Sequence, residues 1–177
     1  MLTSYLFPQV NMELRPRLFA ELKPGTRVVA HEFDFGSWKP DAHRRIAVPN
    51  KRYGPPHSDV YLWIVPANVA GTWRWRAPAG ADAVDCEVKL DQTFQSLRGT
   101  ARAAGRPARI ESAAISGDNV ALALVLEIDG RQVRQELKGR VEGDAIRGRV
   151  RTTGQDDSAD TEWVATRTLR GKINTDA

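Results

Sequence analysis

The chain lacks most of the marks that would announce a membrane protein, a secreted scaffold or a cofactor cradle. A single cysteine, Cys86, excludes an intramolecular disulfide and leaves nothing to favour an oxidising compartment. No stretch approaches the roughly 20 apolar residues of a membrane span, so no membrane partner is expected. Residues Met1 to Pro8 lack the basic start and long apolar centre of a signal peptide. Cytoplasm is therefore the default compartment, with an export signal left open should Met1 not be the true start. There is no G-x-G-x-x-G, no G-x-x-x-x-G-K-[ST] and no G-x-S-x-G, hence no legible phosphate cradle or nucleophile elbow. The histidines, His31, His43 and His57, show no H-x-x-x-H spacing and Cys86 has no C-x-x-C partner, which argues against a metal site.

What is present is an ordinary globular composition, 41% hydrophobic and 27% charged over 177 residues. That length suits one large domain or two small ones. A net charge of +4 permits a nucleic-acid or acidic partner without demanding one.

Leu2 to Phe7 is an apolar run stopped by Pro8 and reads as a buried strand. Asn11 can cap the helix that follows, in which Leu14, Leu18, Phe19 and Leu22 share a face. Pro16 belongs near the start of that helix, and Lys23-Pro24-Gly25 stops it. Thr26 to Phe33 is the next strand, and the short strand–helix–strand sequence implies a parallel pair. Asp34 to Ser58, rich in Pro, Gly, Asn and charge, reads as a loop longer than about 15 residues, a length usually tied to function or disorder. Val60 to Val65 is a third strand, and Asn68 to Arg76 its turn and the beginning of a partner. Ala77 to Ala83, with Pro78 and Gly80, is the expected linker.

From Val84 the period changes to two. Val84, Cys86, Val88 and Leu90 alternate with charged residues, and Val120, Leu122, Leu124, Leu126 and Ile128 share one face. Asp129-Gly130 between two such runs is a hairpin signal. About seven antiparallel strands over 84–170 imply a small barrel or a curled sheet, followed by a frayed tail at 171–177. The fold class expected is α+β: a partial α/β sheet over 1–76, the linker at 77–83, then the antiparallel extension.

The segment richest in chemistry is His31 to Asp41, at the end of the second strand, where ligands bind in open α/β sheets. His31 and Asp34 there could share general-base work or orient a substrate. The plainer reading, which polar loop residues favour, is that they satisfy loop backbone while Phe33, Phe35 and Trp38 anchor the loop. Tyr5 and Asn11 fall at the exit of the first strand and are further substrate-contact candidates, against plainer roles as core and helix cap. Trp73-Arg74-Trp75-Arg76 interleaves aromatics and cations as some single-strand nucleic-acid surfaces do, but strand alternation explains it with one packed and one wet face. The stripe Arg147, Arg149 and Arg151 reads as a solvated face paired with acidic neighbours.

Residues Leu2 to about Arg76 resemble the second half of a family of bacterial class I S-adenosylmethionine-dependent methyltransferases. The family's Y-L-L-P, Asn and L-R-P are matched by Tyr5, Leu6, Pro8, Asn11, Leu14, Arg15 and Pro16. Its L-K-P-G-T-R-[IV]-V is matched by Leu22 to Val29, and its S-H-x-F-D-M-G-D-W-x-P-D by His31, Phe33, Asp34, Gly36, Trp38, Pro40 and Asp41. VYLWIVPANVAGTWRWR is similar to its Y-L-W-I-V-P-A-x-V-A-G-x-W, and a β-rich extension follows in the family too. Ala30, Phe35 and Ser37 depart from its Ser, Met and Asp. The resemblance implies a Rossmann-like sheet, S-adenosylmethionine as cofactor, His31 and Asp34 as catalytic candidates, and Tyr5, Asn11 and Trp38 as substrate-binding candidates. It also implies a missing half: the acidic Gly-rich loop of the family has no counterpart here, so no cofactor is expected to bind this chain alone. Leu2 to Phe7 would then present an unpaired hydrophobic edge open to self-association or a partner.

Three functions follow. The first is the acceptor side of a methyltransferase with its β-rich extension, inactive as this chain alone, its methyl acceptor unknown. The second is a stand-alone β-barrel module that binds a ligand or protein. A nucleic-acid binder ranks last.

Overall fold

The computed structural model describes residues 1–79, 82–128, 130–153 and 160–176. The chain forms two compact units, Met1–Pro66, joined by Thr175 and Asp176, and Ala67–Asn174. The boundary thus lies at Pro66, and the segment expected as a linker is the meeting of two paired strands described below.

The first unit contains β1 (Leu2–Ser4), α1 (Pro8–Glu21), β2 (Arg27–His31), β3 (Ala42–Ala47) and β4 (His57–Ile64). Its sheet has the order β1-β2-β4-β3. β1 runs parallel to β2, as the strand–helix–strand pattern predicts, whereas β4 is antiparallel to both β2 and β3. Two expected elements change. β1 ends at Ser4, leaving Tyr5 to Phe7 as an exposed connection, and the expected loop contains β3. The turn signals Pro40, Pro49, Gly54, Pro55 and Pro56 flank β3 and masked a strand whose side chains are exposed throughout.

Pro8 opens α1 at a position where its missing N–H costs nothing, and Phe7, with extended φ −65° and ψ 156°, is the cap. Asn11 is therefore not the cap. It lies within the helix and is fully buried. Pro16 is likewise internal, so the Met12 carbonyl loses its helical donor. The buried face is Asn11, Arg15 and Leu18; of the apolar stripe expected from the sequence, only Leu18 is fully buried. Arg15 is kept in place by the Phe35 carbonyl at 3.2 Å and the Ser37 hydroxyl at 2.9 Å. Phe35, Trp38 and Trp63 are wholly buried; Phe35 meets Trp63 edge-on at 4.9 Å, and the Trp63 indole donates to the Trp38 carbonyl at 2.8 Å.

The second unit contains β5 (Gly71–Ala79), β6 (Asp82–Thr93), β7 (Ser96–Ala103), β8 (Arg106–Ser116), β9 (Asn119–Ile128), β10 (Arg131–Glu142), β11 (Ala145–Thr153) and β12 (Asp160–Arg170). They close into a barrel of order β10-β11-β12-β5-β6-β7-β8-β9, eight strands where about seven were expected. The extra strand is β5, which the resemblance had assigned to the first unit. Across the expected linker, Ala77 pairs with Val84, Pro78 with Ala83 and Ala79 with Asp82, while Gly80 and Ala81 lie outside the described residues. Ile128 pairs with Arg131 around Gly130, at φ 74°, as the hairpin signal predicts; Asp129 itself lies outside the described residues.

Alternation puts Trp73, Trp75, Val88, Leu122, Leu137 and Trp163 in the barrel interior. Arg74 and Arg76 face outward to Glu87 and Asp85, 2.6 and 3.5 Å away. Where the chain enters, polar side chains fill the barrel end. The Gln92 amide accepts from Val69 and donates to the carbonyls of Ala67 and Phe94. The buried Arg167 donates to the carbonyls of Ala70, Asn68 and Gly143 and lies 4.3 Å from the Trp73 ring centroid. Gly71, at φ 121°, accommodates the register shift beside Leu169; a Cβ there would lie 2.0 Å from the Leu169 carbonyl oxygen. The expected frayed tail is tied down as far as Asn174, which exchanges backbone hydrogen bonds with Gln92 and Phe94.

Candidate functional site

Parallel pairing of β1 with β2 brings their carboxyl ends to one sheet edge, and the antiparallel β4 begins at that edge. β3 ends there too, because Arg45 lies opposite Asp59 and Ala47 opposite His57. Four segments distant in sequence therefore deliver Tyr5, His31 to Asp34, Arg45 and His57 to Asp59 to one place. One row across the sheet reads Ser4, Ala30, Tyr61 and His43, and strand alternation gives these side chains a common face.

His31, the last residue of β2, is half-buried, its ring 5.0 Å from that of Tyr5 and its Nε2 3.7 Å from the Glu32 carboxylate. Glu32 turns the chain. It takes φ 67°, donates its N–H to the Asp59 carbonyl at 2.8 Å, and allows Phe33 to donate back to the His31 carbonyl at 2.9 Å. Such a left-handed three-residue turn at a non-glycine residue is strained, and strain of this kind gathers at functional sites. The Lys51 ammonium, and after it the Ser58 hydroxyl, hold the Glu32 carboxyl below its usual range. Lys51 also donates to the His57 carbonyl at 2.7 Å.

Asp34 is exposed, and its Oδ1 accepts the Gly36 N–H at 3.0 Å. Asn11 accepts from the Ser4 hydroxyl at 2.8 Å and donates to the carbonyls of Phe33 and Asp34 at 3.2 and 3.3 Å. Its contribution is thus to shape the loop bearing Asp34. Trp38 is also enclosed, packed on Phe19 at 4.6 Å between ring centroids. Of the five candidate residues, Tyr5, His31 and Asp34 have surface to offer a ligand, whereas Asn11 and Trp38 act only through what they hold.

The sequence reading missed a second network at the same edge. The buried Asp59 receives a bidentate hydrogen bond from Arg45, at 3.0 and 2.9 Å, and contacts His43 Nε2 at 2.7 Å. Arg45 first, and His43 second, depress the Asp59 carboxyl to about 2. His43 stacks on Tyr61 at 4.5 Å with 9° between the rings. Burial, then the charges of Asp59 and Asp34, raise the Tyr61 phenol above its ordinary value. An imidazole fixed through one nitrogen by a carboxylate presents the other as a proton acceptor. The legible signal was the matching alternation of His43-x-Arg45 and Asp59-x-Tyr61, hidden because 34–58 reads as loop. Among the described residues no cluster of His, Cys, Asp or Glu is placed to hold a metal ion, and no helix is long and apolar enough to cross a membrane.

No family model matches the chain. Over 63 residues it is 40% identical to a protein-lysine N-methyltransferase of Saccharolobus islandicus (strain REY15A), covering 36% of each protein. It is also similar to the RNA methyltransferase of Salinibacter ruber, solved in complex with S-adenosyl-L-homocysteine: 45% identity, 35% of each chain, TM-score 0.28. The chain therefore spans about a third of the length of the relatives it matches. Over about a third of its own length, it is related to methyltransferases.

Proposed function

We propose that this chain is the acceptor side of an S-adenosylmethionine-dependent methyltransferase, with a Rossmann-like partial sheet carrying a β-barrel, and that it transfers no methyl group alone. The observation that carries this reading is the 40% identity to a protein-lysine methyltransferase over 63 residues. Tyr5, His31 and Asp34 would face the acceptor, and His43, fixed by Asp59, would be placed to take a proton from it. Asn11 and Trp38 would position the loop between them.

The cofactor half does not fit this chain. The turn between the parallel strands' first member and its helix is Tyr5-Leu6-Phe7, with no glycine to let a ligand approach the backbone. Pro8 then removes an N–H from the helix start, where an anionic group would be held. That connection therefore offers S-adenosylmethionine no cradle. The acceptor is not dictated by the shared third, since one relative is named for a protein lysine and the other for RNA.

Titration calorimetry with S-adenosylmethionine tests the reading. No heat of binding and no transfer of labelled methyl are expected from the 177-residue chain. Micromolar binding would sink the claim that the cofactor half is lacking. The closed barrel, with a core of its own, favours a second reading as a binding module. Removing 1–66 without loss of a bound ligand would single that reading out.

A further inference from the structure

Every strand of the barrel has two neighbours, but one ladder is short. β12 and β5 pair from Arg170–Gly71 to Thr166–Arg74. The same register would set Ala165 beside Trp75 and Trp163 beside Ala77, yet neither pair forms. Trp75 to Ala77 pair with β6 and Trp163 to Ala165 with β11, so along this stretch each strand is held from one side. A cavity of about 730 Å³ lies here, lined by Arg74, Trp75 and Arg76 of β5, Val164 and Thr166 of β12, and Arg102 of β7 among others. That is the size of a small-molecule site.

The uncommitted polar groups at this place are donors. A buried indole N–H ordinarily finds an acceptor. Those of Trp73 and Trp63 do so at the Val69 and Trp38 carbonyls. Trp75 and Trp163, both buried and edge-on to each other at 5.9 Å, leave theirs without a partner. The two carboxylates of the cavity are already engaged, Glu87 by Arg74 at 2.6 Å and Asp85 by Arg76 at 3.5 Å. Arg102 is exposed and makes no ion pair among the described residues. Beside these donors lies apolar surface, since Val164 is 45% exposed.

We propose that this cavity binds a small apolar molecule bearing a carboxylate. The carboxylate accepts from the Arg102 guanidinium and the Trp75 indole, and the apolar part lies along Val164 where the ladder is missing. The proposal deepens the reading of the barrel as a binding module, on which it rests, and is independent of the methyltransferase reading.

Titration of the full chain with 1-naphthylacetate, followed by the indole N–H resonances of its five tryptophans, tests it. Trp75→Phe and Trp163→Phe assign the two resonances of interest. Both should move with saturable binding, while those of Trp38 and Trp63 stay in place. Arg102→Ala should raise the dissociation constant about tenfold, and the uncharged 1-naphthylacetamide should bind the native chain about tenfold more weakly than the acid. Arg102 is exposed, so its replacement leaves the fold intact, which circular dichroism checks. An unmoved Trp75 resonance at millimolar acid, equal affinity for acid and amide, or an indifferent Arg102→Ala would each overturn the proposal. Saturable shifts confined to Trp73 would do so while leaving the module reading standing. Shifts confined to Trp38 and Trp63 would put the ligand on the α/β unit and sink both.

Discussion

The two units solve the same problem of burial in opposite ways. The barrel closes on itself, leaves no strand edge and fills its interior with aliphatic and indole side chains. At the end where the chain enters, the polar interior groups Gln92 and Arg167 satisfy carbonyls, and further along β10 the wholly buried Gln135 reaches the Thr152 hydroxyl. The α/β unit has an outer strand of three residues, and its helix buries an asparagine and an arginine with a single leucine. Its exposed surface keeps aromatic rings, and its sheet edge gathers charged groups that compensate one another. The barrel has the marks of a finished structure; the sheet has those of a working surface that expects company.

Substitutions can break or sharpen that contrast. The largest effect is expected from Trp73→Ala, which empties the wholly buried site between the barrel interior and Arg167. A loss of about 4 kcal/mol is expected in denaturant unfolding of the barrel. Arg167→Ala should cost about 3 kcal/mol by removing the guanidinium that donates to the carbonyls of Asn68 and Gly143 and shares the Ala70 carbonyl with the Gly171 N–H. Both should lower the barrel's transition and spare that of the sheet, read as two separate unfolding steps. Asn11→Ala should do the reverse, costing about 2 kcal/mol in the α/β unit through loss of its bonds to Ser4, Phe33 and Asp34. A cost shared equally by the two transitions would erase the distinction.

The smallest effect is electrostatic. Asp59 is depressed from 3.8 to about 2 when folded, so its contribution to stability is complete above the unfolded value and is lost as pH falls from about 4 towards 2. The melting temperature of the α/β unit should fall over that window. Asp59→Asn should flatten the dependence, and an unaltered slope would assign it to other carboxylates.

The barrel was legible because alternation over long strands is a repeated signal. Val120, Leu122, Leu124 and Leu126 declare one face together, so no single residue has to be read correctly. The error was one of count, since the motif placed the strand as far as Arg76 with the first unit and Ala77 onward was read as a linker. In the α/β unit the parallel pair was visible, but what stabilises it was not. Asn11 precedes an apolar helical stripe and looks like a cap; only the fold reveals that Ser4 and the 33–34 backbone claim its side chain. His43 and Asp59 are adjacent only because β3 and β4 pair, and a strand with every residue exposed has no hydrophobic pattern to announce it.

The barrel's doorway has one more consequence. The Gly171 N–H bonds to the Ala70 carbonyl at 2.9 Å, and Asn68 reaches the Gly171 carbonyl at 3.0 Å, so the chain enters and leaves the barrel through the same opening. A domain whose ends meet can be spliced into a host loop, or cut and rejoined in a new order, without stretching its host. By this geometry the barrel is a cassette: its ends could be joined by a short bridge and new ones opened at a hairpin tip, with the order of strands around the wall unchanged.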